Sequence, residues 1–202
     1  MVKELKASKL RRERNKERLM QAALELFQVY GIRKTSMVDV AQNAGLSPAT
    51  VYNHFGSKEE LVYATIKYFL TIAGAEFRKI VEGTHFFPEK LEQVLLFKQD
   101  IFGRYQGELL QTIVYNSKIR QYIDSVYMVE IRQTINDFYE QGKRQGYIDK
   151  ELSTEILIRY SEIIRKGVAA DSALSEDSES NLKLLQELIP LYLYGILGKP
   201  EK

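Results

Sequence analysis

The sequence predicts an all-helical fold, on three observations. Apolar residues recur at three- and four-residue steps over most of the 202 residues, and neither an alternating run of useful strand length nor an internal repeat stands out. The four prolines, at 48, 88, 190 and 200, leave long uninterrupted stretches between them. Three helix-start signals crowd into residues 36–57, too close together for ordinary globular helices, so a compact specialised unit precedes the longer ones. The expected layout is about nine helices. Residues 1–13 form a basic arm, 14–74 a small N-terminal domain and 75–202 a larger helical domain.

Composition agrees with a folded chain. Apolar residues make up 45% and charged residues 28%, and a chain this long buries roughly 70% of its unfolded surface without staples. A disordered tail and a disulfide-dependent miniprotein are excluded. With no cysteine, so are thiolate metal sites, iron–sulfur clusters and cysteine nucleophiles. The start Met1-Val2-Lys3-Glu4-Leu5-Lys6 has no apolar run of the secretory kind. The stretch Leu61 to Phe77 contains Lys67 and is short for a membrane span. A cytoplasmic protein without a membrane segment is expected. Charge is uneven: residues 1–60 hold eleven Lys and Arg against seven Asp and Glu, whereas the remainder is slightly acidic. A basic front half points to a polyanion as its partner.

Each element has its own signal. After a charged and frayed stretch at 1–14, Leu19, Ala23, Leu26, Phe27 and Tyr30 form one apolar stripe, and Gly31 sits where a left-handed C-terminal cap belongs. Ser36-x-x-Asp39 resembles a capping box, Ser47 precedes Pro48 at a first helical position, and Ser57-x-x-Glu60 is a regular capping box. Longer helices are expected from Ser57 to Glu82, from Pro88 to about Phe102, from Glu108 to Asn116, through Ile119 to Tyr139 as far as Gly146, over Ser153 to Ala170, and over Ser178 to Leu197. The Ser- and acid-rich stretch from Asp171 to Ser180 reads as an exposed linker.

The informative segment is 37–56. Two short helices crossing steeply need a small residue where they touch, which Ala41 supplies, and a tight turn, which Gly45 accommodates. Leu46 and Val51 then fill the angle between them. This is the pattern of a helix-turn-helix whose second helix lies in the major groove of DNA. With Leu46, Val51 and Phe55 facing inward, the outward and flanking residues become the candidate DNA contacts. Thr50 and Asn53 are placed to reach base edges, Ala49 and the Thr50 methyl to touch a thymine methyl, and Tyr52 and His54 to bond phosphates. Ser47, Lys58, Thr35 and Ser36 stand at helix starts, where free N–H groups favour an anion. His54 is open between a phosphate contact and a cap, and the basic run from Lys3 to Arg18 reads as a solvated tail more readily than as a groove-seeking arm.

Taken together, Ala22-Ala-Leu-Glu-Leu-Phe27, Gly31, Thr35-Ser36, Val40-Ala41, Ala44-Gly45-Leu-Ser47, Val51-Tyr52, His54-Phe55 and Ser57-Lys58-Glu-Glu-Leu61 resemble the DNA-binding domain of TetR-family transcriptional regulators. The resemblance spans Leu19 to Tyr68, about a quarter of the chain. It implies three N-terminal helices on operator DNA and a fourth leading to a larger helical domain. That domain would hold a small-molecule effector and dimerise through its last two helices. It further implies a repressor that leaves its operator when the effector binds. An activator of the same fold is the alternative, as is a helical ligand-binding module that no longer binds DNA. Pro48 departs from the family, where many relatives carry lysine or another polar residue.

The effector-pocket candidates are Phe97, Phe102, Arg104, Tyr105, Tyr115, Tyr127, Phe138, Arg159 and Tyr160. Aromatic stripes are more often plain core than ligand contacts, and the two arginines draw interest only if buried, where a guanidinium wants an anionic partner. Ile156, Leu157, Tyr160, Ile163 and Ile164, with Leu182, Leu185, Leu188, Ile189, Tyr192 and Ile196, form the apolar stripes expected at a homodimer interface, with Pro190 kinking the last helix. No cofactor or metal is expected. No metalloprotease, nucleophile-elbow, Walker or dinucleotide motif occurs, and histidine is confined to positions 54 and 85, so an enzyme is not expected either.

Overall fold

The computed structural model describes residues 2–104 and 108–171, together with Leu184, Glu187, Leu188, Leu191, Tyr192 and Gly195. Its helices are α1 (Val2–Tyr30), α2 (Met37–Asn43), α3 (Pro48–Phe55), α4 (Lys58–Glu82), α5 (Phe87–Arg104), α6 (Glu108–Tyr115), α7 (Ser117–Tyr122), a π-helical segment (Ile123–Tyr127), α8 (Met128–Arg144) and α9 (Thr154–Ala170). No strand occurs among the described residues. The chain divides into two compact units at Ile72/Ala73, two residues before the expected boundary, and α4 contributes to both.

The first unit is built on the stripe of α1. Leu19, Ala22, Ala23, Leu24 and Phe27 are buried together with Val40, Ala41, Val51, Phe55, Leu61 and Ile66. Tyr30, which its spacing assigns to that stripe, is instead exposed. It occupies the last position of the helix, and Gly31 turns the chain away there with φ +79° and its N–H on Phe27 O at 3.0 Å. The larger departure is at the other end. Residues 2–14, expected to be frayed, continue α1 as helix. They have the composition for it, since Ala, Leu, Lys, Arg and Glu are strong helix formers and neither Gly nor Pro interrupts them.

The second unit gathers Ile80, Val81, Phe87, Leu91, Val94, Phe138, Tyr139, Ile148, Leu157 and Ile158 into one apolar cluster, with Phe77, Phe97, Ile135, Tyr160 and Tyr192 packed against it. The rings of Phe87 and Phe138 lie 4.9 Å apart, and Phe77 meets Phe138 edge-on at 5.8 Å. Polar groups tie the cluster's edges. Lys90 is buried, and its ammonium donates to Val81 O at 2.6 Å and Gln141 Oε1 at 2.5 Å. The carbonyl it satisfies belongs to the last turn of α4, where the helix dipole favours a cation. Burial lowers the Lys90 pKa. Gln145 Oε1 accepts from Phe87 N at 2.7 Å. The hydroxyls of Tyr139, Ser161 and Tyr192 bond to one another.

The helix expected from Ile119 to Gly146 is observed as α7, the π-helical segment and α8 in succession, ending at Gly146 with φ +79°. Most of the last predicted helix, including Leu182, Leu185, Ile189, Pro190 and Ile196, lies outside the described residues. Leu184, Glu187, Leu188, Leu191 and Tyr192 are helical.

Gly142 shows how tightly the second core is filled. A Cβ there would lie 2.7 Å from Ile148 Cδ1 and 2.8 Å from Phe87 Cζ, two side chains with almost no exposed surface. Gly142→Ala is therefore expected to destabilise the protein by about 1–3 kcal/mol despite its better helix propensity, measured by urea unfolding. An unchanged or raised midpoint would show that the core has slack at this point.

Candidate nucleic-acid interface

The site is built from α2, the turn after it, and α3. α2 begins with a reciprocal capping box: Ser36 Oγ accepts from Asp39 N at 3.1 Å, and Asp39 Oδ2 accepts from Ser36 N at 2.8 Å. The bond from the Ser36 hydroxyl and then that from its backbone, helped by the charge of Lys58, hold the Asp39 carboxyl below its usual range. Ala44 caps the C-terminus of α2, Gly45 takes φ +62°, and the turn closes through Gly45 N to Gln42 O and Leu46 N to Ala41 O, both 2.9 Å. Ser47 caps α3, with its oxygen accepting from Thr50 N at 3.3 Å and Pro48 opening the helix.

Gly45 is required twice. Its positive φ is a region that side chains avoid, and a Cβ there would lie 3.3 Å from Arg18 Nη2. That guanidinium donates to Ala44 O at 2.6 Å. It thereby satisfies a carbonyl at the end of α2 and ties the turn to α1. Asn43 Nδ2 to Glu25 Oε2, at 3.2 Å, adds a second tie between the same helices. Sequence reasoning misses Arg18, because no local pattern pairs it with a residue 26 positions away.

With the frame fixed, α3 shows two faces. Val51 and Phe55 are buried, and Leu46 is half-buried before the helix starts. Ser47, Ala49, Tyr52 and Asn53 are exposed, and Thr50 and His54 are half-buried. Thr50 Oγ1 and Ser47 Oγ share a 2.8 Å hydrogen bond. Partial burial, then the charges of Arg12 and Lys16, lower the His54 pKa, with Glu13 opposing. Lys58, at the start of α4, donates to Arg33 O at 3.0 Å, which leaves other ammonium protons for an anion. Thr35 departs from its expected role. It is buried, and its hydroxyl donates to Gly31 O at 2.8 Å, so it closes the turn after α1 instead of facing a duplex. Position 36, the N-cap of α2, is exposed where 35 is not.

Known proteins share this arrangement. Residues 19–65 match the family of bacterial regulatory proteins of the tetR type. The chain is 29% identical over 160 residues to the HTH-type transcriptional regulator UidR of Escherichia coli, covering 76% of this chain and 79% of that one. The chain is thus similar, over residues 19–65, to the tetR family and, over most of its length, to HTH-type transcriptional regulators. The HTH-type transcriptional repressor KstR2 of Mycobacterium tuberculosis is 25% identical over 150 residues, or 70% of this chain and 73% of the relative. A transcriptional regulator from Saccharomonospora viridis, solved in complex with choline, shares the fold with a TM-score of 0.63 at 18% identity, over 93% of this chain and all of the other. The segment matched by the tetR-type family begins at Leu19 and so leaves the basic first half of α1 outside it.

The pocket candidates of the second unit are scattered. Phe138 is spent in the core and Phe97 packs at its edge. Tyr160 stacks on Tyr192 with ring centres 5.6 Å apart. Tyr127 lies in the π-helical segment, where its ring approaches the backbone of α4 at Gly74. Its hydroxyl is pushed up to about 12, first by burial and then by Tyr122. Tyr115 and Arg159 are exposed, so Arg159 is not a buried cation in search of an anion. The side chains of Phe102 and Arg104, and the whole of Tyr105, lie outside the described residues. Among the described residues no group of His, Asp and Glu is placed to hold a metal ion, and no helix is long and apolar enough to cross a membrane.

The turn supplies a direct test. Gly45→Ala is expected to lower stability by about 1–2 kcal/mol and to weaken DNA binding along with it, read by urea unfolding and gel shift. Full stability and full binding in that variant would show that neither the positive φ nor the Arg18 contact constrains the site.

Proposed function

We propose that this chain is a dimeric repressor that reads operator DNA with α3 and leaves it when a small-molecule effector enters its second unit. The observation that carries the DNA-reading part is the division of α3. Val51 and Phe55 are buried on one side, while Ala49, Tyr52 and Asn53 stand exposed on the other behind a capped start at Ser47. An eight-residue helix with so polar an outer face fits the major groove. Ser47, Thr50 and Asn53 face base edges and nearby phosphates, with Ala49 against a thymine methyl. Tyr52, His54, Lys58 and Ser36 fix the register on the backbone.

Dimerisation is supported by what α9 leaves uncovered. Leu157 and Ile158 go into the chain's own core, whereas Ile156 and Ile163, seven residues apart, are exposed; Leu184 and Leu191, also seven apart, are exposed too. Seven residues is two helical turns, so Ile156 and Ile163 mark one face of α9, and a two-fold interface between copies would cover it. The effector part is supported by two similar proteins: a relative that is a repressor and a fold neighbour that holds choline. An effector shifts DNA binding only if it prefers one conformation.

Selection of duplexes from a random pool tests the reading. The expected product is an inverted repeat whose half-sites lie about one helical turn apart or a multiple of it. Tyr52→Ala and Thr50→Ala should each weaken binding to it by about 1–3 kcal/mol, roughly 5- to 150-fold. Small molecules that stabilise the chain against heat should release it. No enriched sequence would contradict DNA reading, a single half-site would contradict the dimer, and stabilising ligands that leave binding unchanged would contradict the effector role.

A further inference from the structure

The first half of α1 is helical by propensity but is held by no packing of its own. The helix runs 29 residues, roughly 43 Å, but its buried residues begin at Leu19. Residues 6–14 are all exposed, Leu10 included at 54%. Most helices in proteins are held by an apolar face packed on a core, and this stretch has none. What it has is charge: residues 2–16 carry seven Lys and Arg against two Glu, in a protein whose net charge is +2.

The charge is also placed. Residues seven apart lie on nearly the same helix face. Going back seven from Ala23 gives Lys16, seven from Leu19 gives Arg12, and seven from Lys16 gives Lys9. The stripe that is apolar from Leu19 onward, where it packs in the first unit, therefore continues as a basic stripe toward the N-terminus. The helix packs against α3, and Arg12 and Lys16, with Glu13 opposing them, act electrostatically on His54 near the end of that helix. The register of α1 against the turn before α3 is fixed by the bond from Arg18 to Ala44 O.

We infer that the N-terminal half of α1 is a second DNA-binding element, in which Lys9, Arg12 and Lys16 grip the phosphate backbone bordering the groove that α3 enters. The inference rests on the DNA-reading assignment made above and extends the footprint beyond the helix-turn-helix. Three cations in a row on one face, with Arg11 and Arg14 turned to the other, suit a rail of evenly spaced phosphates. On phosphates they read no base edges, so the element adds affinity and not sequence preference.

The test compares two charge-matched variants of the full chain, Arg12→Gln/Lys16→Gln on the inner face and Arg11→Gln/Arg14→Gln on the opposite one. Binding is measured against salt, on the selected duplex and on an unrelated one. Removing a single cation–phosphate pairing lowers the slope of log K against log salt by about 0.9. The inner-face variant should show roughly twice that reduction and weaken on both duplexes by the same factor, and the opposite-face variant should keep nearly the original slope. Helix content and melting temperature should be unchanged in both. Equal slopes for the two variants would overturn the inference and reduce the stretch to a source of net charge. A weakening confined to the selected duplex would overturn it in favour of base reading. If the unaltered chain bound the selected duplex with a flat salt response, the DNA-reading assignment would fall and this inference with it.

Discussion

The left-handed turn at Gly45 is the constraint on which the DNA-binding unit depends. Four backbone atoms close it, at Gln42 O, Gly45 N, Ala41 O and Leu46 N, and the Arg18 guanidinium holds the adjacent Ala44 carbonyl from outside. Because Ala41 has no exposed surface and Val51 none either, the two short helices meet with little between them. A larger residue at 41 would open the angle, and a side chain at 45 would strain the turn and press on Arg18. The outward set on α3 is then a consequence: once Val51 and Phe55 are inside, Ala49, Tyr52 and Asn53 have nowhere else to go.

The second unit follows a different plan. Its core is aromatic and filled, with the Phe87 ring near those of Phe138 and Tyr147 and a glycine at 142 that leaves room for Phe87 and Ile148. Around that core, polar groups do at long range what caps do locally. Lys90 reaches back to Val81 O, Gln141 donates to the same carbonyl at 3.1 Å, and Gln145 accepts from Phe87 N. The end of α4 and the start of α5 are in this way held by side chains from α5 and from α8 and the residue after it. Since α4 belongs to both units, its two ends answer to two sets of contacts: a Ser57 cap at the start and these polar ties at the finish.

What is legible in the sequence is local. The capping residues Ser36, Ser47 and Ser57, the glycines at 31 and 45, and the small residue at 41 act within a few positions of themselves, so their spacing is enough to place α2, α3 and the start of α4. The long helices of the second unit are legible for the same reason, from three- and four-residue periodicity. What is not legible is reach. Arg18 to Ala44, Lys90 to Gln141, and the Tyr139–Ser161–Tyr192 hydroxyl group join residues dozens of positions apart. Thr35 escapes prediction because a hydroxyl beside a cap reads as surface until its partner at Gly31 is known, and Tyr30 because periodicity does not show where a helix leaves its core. The stretch before Leu19 reads as a tail since it lacks apolar spacing, yet helix propensity alone is a sufficient signal.

The central claim is that α3 lies in the major groove, presented by the turn at Gly45. Methylation interference on the selected duplex tests it most directly, because guanine N7 lies in the major groove. Interference is expected at purines in two blocks, one helical turn or a multiple of it apart, with minor-groove adenine N3 positions between them silent. Binding that is indifferent to N7 methylation throughout the footprint would contradict it.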